Sequence, residues 1–244
     1  MISVIIPAYN EEKYIGKCLQ SLASQKTAVP FEVIVVDNNS KDATSQIVAR
    51  DFSSFRLVKE TQQGMTKARN RGAREAKGDI FAFLDADCMA PPLWIENISI
   101  RFSKNPNLLG VSGPSNFYDL PWQYKWVEFV AFKIVFPFIG EFLLKTILRK
   151  GALWNGANIA VRKDIFEKVG GFAEHIVFYG EDADLAKKFM QQGKTAFARE
   201  TWVYTSARRL LKGNPAKEGL AYFLQYAWFL VTNKSRATSY KEVR

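Results

Sequence analysis

The sequence predicts an α/β fold built on a parallel sheet flanked by helices, and three observations carry that prediction. Near-continuous apolar runs recur at Val4-Ile5-Ile6, Val33-Ile34-Val35-Val36 and Ile80-Phe81-Ala82-Phe83-Leu84, the pattern of strands buried on both faces. Apolar residues between the first two and after the second follow helical spacing. Each run ends in polar residues, at the strand ends where an open α/β sheet holds its ligands.

The first run opens directly from Met1-Ile2-Ser3 with no basic stretch and no small-residue cleavage site, so a strand is expected there rather than a secretion signal. Glu11 to Gln25 then carries Tyr14, Ile15, Cys18, Leu19 and Leu22 on one helical face, and Lys41 to Phe52 does the same with Ala43, Ile47 and Val48. The strands exit into Asn10-Glu11, Asp37-Asn38-Asn39-Ser40 and Asp85-Ala86-Asp87, three clusters expected to converge in space. Asn38, Asn39 and Ser40 also read as caps of the next helix. Beyond Pro114 the pattern changes to an aromatic segment with Trp122, Tyr124, Trp126, Phe129, Phe132, Phe136 and Phe138. Aromatics at helical spacing suit a core, whereas the interleaved lysines and Pro137 suit a helix in a lipid interface. Gly219 to Asn233 is apolar and uncharged but falls short of the roughly 20 residues that span a bilayer.

The 244 residues carry a formal charge of +10, with 48% hydrophobic and 24% charged residues, the balance of one globular domain with anionic partners. From Thr205 onward eight Lys and Arg face two Glu, so +6 of the charge gathers in the tail. An anionic membrane surface is the partner this edge suits. Only two cysteines, Cys18 and Cys88, are present, which excludes a disulfide scaffold and fits a reducing, cytoplasmic compartment. The single histidine, His175, removes the His-based zinc motifs, and no GxSxG supports a Ser-His-Asp hydrolase.

Neither glycine-rich phosphate cradle, GxGxxG or GxxxxGK[ST], occurs, so a phosphate ligand needs another device. Asp85-Ala86-Asp87 offers one, because two carboxylates one residue apart can present oxygens to a hard divalent cation that also takes diphosphate oxygens. Gln63 to Gly72 offers a second: Gly64 permits close approach and Arg69 supplies charge, while Lys67 and Arg71 read as a solvated face. Trp154-Asn155-Gly156-Ala157-Asn158 and Glu181-Asp182-Ala183-Asp184 complete the set. Acids at a helix start complement its dipole; one of them held near a hydroxyl is also a general base.

In order and spacing, VIIPAYNEE, VVDNNSKDAT, QGMTKARNRG, FLDADC, NGANIAVRKDIFEKVGGF and EDADLAKKF resemble the family 2 glycosyltransferases over about residues 1 to 205, which implies the Rossmann-like GT-A fold, an α/β fold with a mixed, mostly parallel sheet flanked by helices. The resemblance implies inverting transfer of a sugar from a nucleotide diphosphate donor to an acceptor hydroxyl, assisted by Mn or Mg. It places Pro7, Ala8, Tyr9 and Glu11 around the nucleoside and Asp37 at the base, where a carboxylate favours uracil. Gly64 and Arg69 would line the ribose and diphosphate, and Asp85 the ribose or metal. Ala86, between the two acids, would contact the donor, and Asp87 would be the direct metal ligand. Asn155, Gly156 and Ala157 would face the donor sugar, Asp182 would be the base, and Glu181 would bind the acceptor or orient the loop.

Two departures from the family pattern stand out. Where many relatives carry a metal-binding histidine, this chain has Val203 to Arg209, so Arg208 or Arg209 is expected on the diphosphate. The QxxRW of processive synthases is absent, so one sugar per encounter is expected. The implied organisation is a catalytic domain at 1–205, divided into a nucleotide half (1–115) and an acceptor half (116–205), followed by a basic helical tail at 206–244. The acceptor would be a glycan or lipid-linked precursor reached from the inner face of a membrane. A sugar-phosphate nucleotidyltransferase is the alternative, although Ala8-Tyr9-Asn10-Glu11 stands where its glycine-rich triphosphate loop belongs. A nucleic-acid-binding module has only the net charge in its favour, so no nucleic acid partner is expected.

Overall fold

The computed structural model describes residues 1–130, 134, 154–176 and 180–232. The β-branched runs form the middle of a seven-stranded sheet. Its strands are β1 (Ile2–Ala8), β2 (Phe31–Asp37), β3 (Arg56–Lys59), β4 (Ile80–Leu84), β6 (Leu108–Ser112), β8 (Asn158–Arg162) and β9 (Lys194–Phe197), in the order β3-β2-β1-β4-β8-β6-β9. β8 runs antiparallel to both its neighbours, and the other six strands share one direction. A second sheet of three short strands, β5 (Cys88–Met89), β7 (Ser115–Phe117) and β10 (Val203–Thr205), has β10 in its centre.

Alternate residues of the strands point to opposite faces, and each face is covered. Ile2, Val4, Ile6, Val33, Val35, Ala82 and Leu84 pack with α1 (Ile15–Ala23), α2 (Thr44–Asp51) and α4 (Trp94–Lys104). Ile5, Ile34, Val36, Phe81 and Phe83 pack with α3 (Met65–Glu75), α6 (Lys163–Lys168) and α7 (Glu181–Gln192). Gly72 lets α3 lie close on the sheet, since a Cβ there would collide with Ile5 Cγ2 and stand 3.0 Å from Val36 Cγ2. This approach brings the side chains of α3 to the strand ends.

The first two helices start later than their apolar spacing predicts. Residues 11–14 form a turn in which Ile15 N donates to the Glu11 carbonyl, and Glu11 N donates to Thr44 Oγ1. Lys41 N donates to Asn10 Oδ1 while Asn10 N donates to Ser40 Oγ, so the residues before α2 tie the exits of β1 and β2 together. Neither Asn38 nor Ser40 caps the helix: the first residue before α2 is Ala43, without a side-chain cap.

The expected halves share one sheet, and the boundary at 115/116 falls inside β7. The aromatic segment begins as a single 3-10 turn (Trp122–Tyr124) and α5 (Lys125–Glu128). Trp122, Trp126 and Phe129 are 85%, 64% and 56% exposed, which overturns the core reading for them. Residues 131–133 and 135–153, with Phe132, Phe136 and Phe138, lie outside the described residues, as do 233–244 of the tail. The tail's described part, 206–232, includes the helix α8 (Pro215–Thr232), and no described helix is long and apolar enough to cross a membrane.

Candidate active site

The polar exits of β1, β2 and β4 converge as the sequence predicts, and a set of buried side chains fixes them. Asn38 N donates to the Ala8 carbonyl, and its side-chain amide donates to the carbonyls of Glu60 and Gln62 at 3.0 and 2.9 Å. Its Oδ1 accepts from Gly64 N at 2.7 Å. Gly64 has φ of +148°, a region L side chains rarely adopt, so the loop into α3 is shaped by this pair. Asp37 is buried at the level of Ala8, and its Oδ1 accepts from Ser40 N.

Arg69 on α3 is fully buried and is the hub of the inner site. Nη2 donates to Asp85 Oδ1 at 2.8 Å and to the Gly156 carbonyl at 2.7 Å, while Nη1 lies 3.5 Å from Glu181 Oε1. The guanidinium carbon stands 5.1 Å from the centre of the Phe172 ring. Burial opposes the charge, but Asp85 and Glu181 outweigh it and raise the guanidinium pKa. Both Nη atoms of Arg69 are engaged by these protein partners, and the side chain acts as a strut between them.

The strut joins Asp85, at the exit of β4, to the acids opening α7. Gly180 precedes that helix with φ of +105°, and Glu181, Asp182 and Asp184 occupy its first turn, where the dipole favours negative charge. Asp182 Oδ1 accepts from Ala183 N at 2.8 Å. Burial first and the Glu181 charge second raise the Asp182 carboxyl above the usual range, with Arg69 pulling against them. The turn before β8 lies directly against this pair: a Cβ on Gly156 would stand 3.3 Å from Glu181 Oε1 and 3.4 Å from Asp182 Oδ2. Asn155 supports the turn, its amide donating to the Gly113 carbonyl and Ser115 Oγ.

A second guanidinium lies at the outer end of the acids. Arg208 forms a fork with Glu11, at 2.8 Å from Nη1 to Oε2 and 2.7 Å from Nη2 to Oε1, and Nη2 is also 3.0 Å from Asp87 Oδ2. Its carbon lies 4.4 Å from the Tyr14 ring centre. The small sheet delivers it there: Thr205 is opposite Cys88, the neighbour of Asp87, and Asp119 accepts from Ser206 Oγ and Ala207 N. Ser206 to Arg208 thus lie beside these acids. Burial pushes the Asp87 carboxyl up to about 6, with Arg208 opposing the rise.

Sequence reasoning missed Asn70, Tyr14 and Asp119. Asn70 pairs through both amide atoms with the Phe172 backbone, at 2.9 and 3.0 Å, and holds that ring against Arg69. Its place beside Arg69 was the available signal. Pro7, Ala8, Tyr9 and Ala86 lie at the β1 exit and between the two acids, while Ala157 N donates to Asn155 Oδ1.

Asp85 and Asp87 are hard oxygen donors suited to Mg or Mn, which commonly take one or two carboxylates and complete their shell with phosphate and water. Among the described residues no group of three or more His, Cys, Asp or Glu is arranged to hold a metal alone. The protein's share of such a shell would be these two carboxylates.

The sequence pattern of "Glycosyl transferase family 2" matches residues 3–170. The chain belongs to this family. Glycosyltransferase AglE of Haloferax volcanii is 34% identical over 187 residues, 74% of this chain and 58% of the relative. The chain thus spans little more than half of that relative's length. S. aureus TarS 1–349, in a crystal structure with UDP-GlcNAc, matches with a TM-score of 0.65 at 21% identity, over 96% of this chain and 76% of that one. Mannosyltransferase PcManGT from Pyrobaculum calidifontis, in complex with GDP-Man and Mn2+, matches at 0.61 and 22%, over 91% and 64%. Family 2 membership and these likenesses establish a GT-A fold.

Removing Arg69 leaves Asp85 and Glu181 as uncompensated carboxylates, a loss typically about 3–5 kcal/mol at buried pairs. Arg69→Ala is expected to lose stability on that scale in urea unfolding. Arg69→Lys should recover only a minor part, because an ammonium cannot reproduce the guanidinium's planar fork.

Proposed function

We propose that the chain is an inverting, nucleotide-sugar-dependent glycosyltransferase, with a UDP-sugar as donor and an acceptor hydroxyl as nucleophile. The observation that carries the reading is the Glu181-Asp182 pair pressed against the Gly156 turn and linked through Arg69 to Asp85. One charged framework joins a carboxylate of raised basicity to the acids that follow β4.

In this reading the donor lies over the exits of β1, β2 and β4, with the uracil near Asp37 and the sugar beside the 155–157 turn. Asp182 accepts the hydroxyl proton as the acceptor oxygen bonds to the anomeric carbon. The bond to the diphosphate breaks on the opposite side, so configuration inverts. A carboxylate is a weak base toward a ground-state hydroxyl, and its contribution comes as the proton turns acidic in the transition state. Burial of Asp182 raises its affinity for that proton. Glu181 supplies the negative charge that raises Asp182 further and, through Nη1 of Arg69, fixes the start of α7. Mn or Mg at Asp87, with Asp85 adjacent, would neutralise charge on the departing diphosphate. The absence of QxxRW supports transfer of one sugar per encounter.

For the acceptor, the exposed Trp122, Trp126 and Phe129 and the exposed Leu220, Leu224 and Trp228 of α8 support work on a lipid-linked precursor at an anionic membrane surface. Exposed Lys212 and Lys217 add positive charge at the start of α8. Trp and Lys in such company suit headgroup contact. The chain should then float with vesicles containing an anionic phospholipid and be released by salt; equal recovery with neutral vesicles would refute the electrostatic part.

Calorimetry with UDP and GDP, each with and without Mn, tests the donor. UDP binding that requires Mn and is lost in Asp87→Ala is expected, and failure of every nucleotide to bind would refute the reading. Asp182→Asn should lower kcat by about two to four orders of magnitude and leave UDP affinity unchanged. In the parent enzyme the rate should fall on acidification along a limb above the ordinary carboxylate range, because the protonated form of Asp182 cannot accept. A matching loss of UDP affinity in Asp182→Asn would assign the residue to binding instead.

A further inference from the structure

We propose that Arg208 is an internal counter-cation that keeps a divalent metal off Asp87 until a nucleoside diphosphate arrives, so that metal and nucleotide bind as a coupled pair. The inference rests on the reading of Asp87 as the metal-binding carboxylate.

Asp87 is largely enclosed, with a side-chain exposure of 11%, and the guanidinium of Arg208 lies directly on its Oδ2. Arg208 is equally enclosed and is fixed from several sides. Glu11 holds both Nη atoms, the Tyr14 ring covers one face, and Asp119 pins the preceding residues Ser206 and Ala207. A metal at Asp87 would therefore meet a guanidinium that has nowhere cheap to go. The charges state the same constraint. Within the triad of Arg208, Glu11 and Asp87 one net negative charge remains. A dication alone would reverse the sign of this triad, on which the charge of Arg209 also acts. Like charges at such range repel strongly where solvent is excluded.

A nucleotide diphosphate removes the obstacle by bringing at least two negative charges with it. Its oxygens supply ligands to the metal and an acceptor to Nη2 of Arg208 once Asp87 turns to the metal. Glu11 keeps its hold on Arg208 throughout, so the side chain needs to turn rather than leave. The guanidinium also has donor capacity in reserve, since its buried Nε has no hydrogen-bond partner among the described residues. Arg208 thus makes the site selective for the metal–diphosphate pair over either component alone.

The test is a titration with Mn alone, followed by electron paramagnetic resonance of free Mn and by calorimetry, on the full chain and on Arg208→Gln. In the absence of nucleotide, Arg208→Gln is expected to bind Mn at least tenfold more tightly than the parent, and the enhancement of Mn affinity by UDP should shrink by a similar factor. Adding Asp87→Asn to Arg208→Gln should abolish the gain. Arg208→Lys, which keeps the charge but loses the fork, should gain less than Arg208→Gln and serves if the latter does not fold. Lys217→Gln, which removes an exposed charge on α8, should leave Mn affinity unchanged.

Mn affinity without nucleotide that is unchanged or weaker in both Arg208 variants would overturn the proposal, as would an equal gain in Lys217→Gln. The two readings fail separately. If UDP and Mn bind the parent while the Arg208 variants gain nothing, the counter-cation role falls and the donor site stands. If no nucleotide binds but the variants gain Mn through Asp87, exclusion by Arg208 holds and the donor reading falls.

Discussion

A guanidinium with no access to water is the constraint around which this site is organised. An isolated buried charge is prohibitively expensive, and partners at close range make it tolerable. Arg69 therefore requires Asp85, the Gly156 carbonyl and Glu181 to be where they are. These come from the exit of β4, the turn before β8 and the start of α7, three segments with no local reason to meet. Gly72 allows α3 to approach the sheet closely enough to bring Arg69 to them, and Asn70 holds Phe172 against the guanidinium. Satisfying one buried charge thus sets the spacing between the acids after β4 and the acids that open α7.

The two arginines of the site divide the electrostatic work. Arg69 is sealed and its partners are protein atoms, so it suits a framework that does not change when ligands come and go. Arg208 lies at the outer end, shares Glu11 and Asp87, and arrives on a segment held by the small sheet and Asp119. An inner strut with protein partners and an outer arginine shared between two carboxylates give the cluster a fixed base and, under the proposed coupling, an exchangeable outer end. The local dielectric acts on both, and it also lifts the carboxyls of Asp87 and Asp182 above their ordinary range.

Much of this was legible in the sequence because the governing signals are local. β1, β2 and β4 follow from unbroken apolar runs, and their polar exits name the crevice. Asp85, Asp87, Glu181 and Asp182 stand out as paired acids, and Arg69 by its place after Gly64. The strands β5, β7 and β10 are two or three residues long, too short for alternation to register, yet they carry Arg208 to Asp87. The contact of Arg208 with Glu11 spans 197 residues, and no spacing rule reaches that far. Charge at Arg69 and Arg208 suggested phosphate from sequence alone, whereas burial and committed partners decide what each can touch. Trp122 and Trp126 show the converse, since helical spacing identifies a face without saying what covers it.

The central claim is that Arg69 is a fixed strut whose bonds persist when the nucleotide binds. Nitrogen-15 NMR of its guanidinium group, assigned by comparison with Arg69→Lys, reads this directly. Restricted rotation should give separate, exchange-protected Nη signals that keep their positions when UDP and Mn are added. A single averaged Nη signal in the free protein, or a large shift on adding UDP and Mn, would mean that Arg69 is a mobile ligand of the diphosphate and would contradict the account.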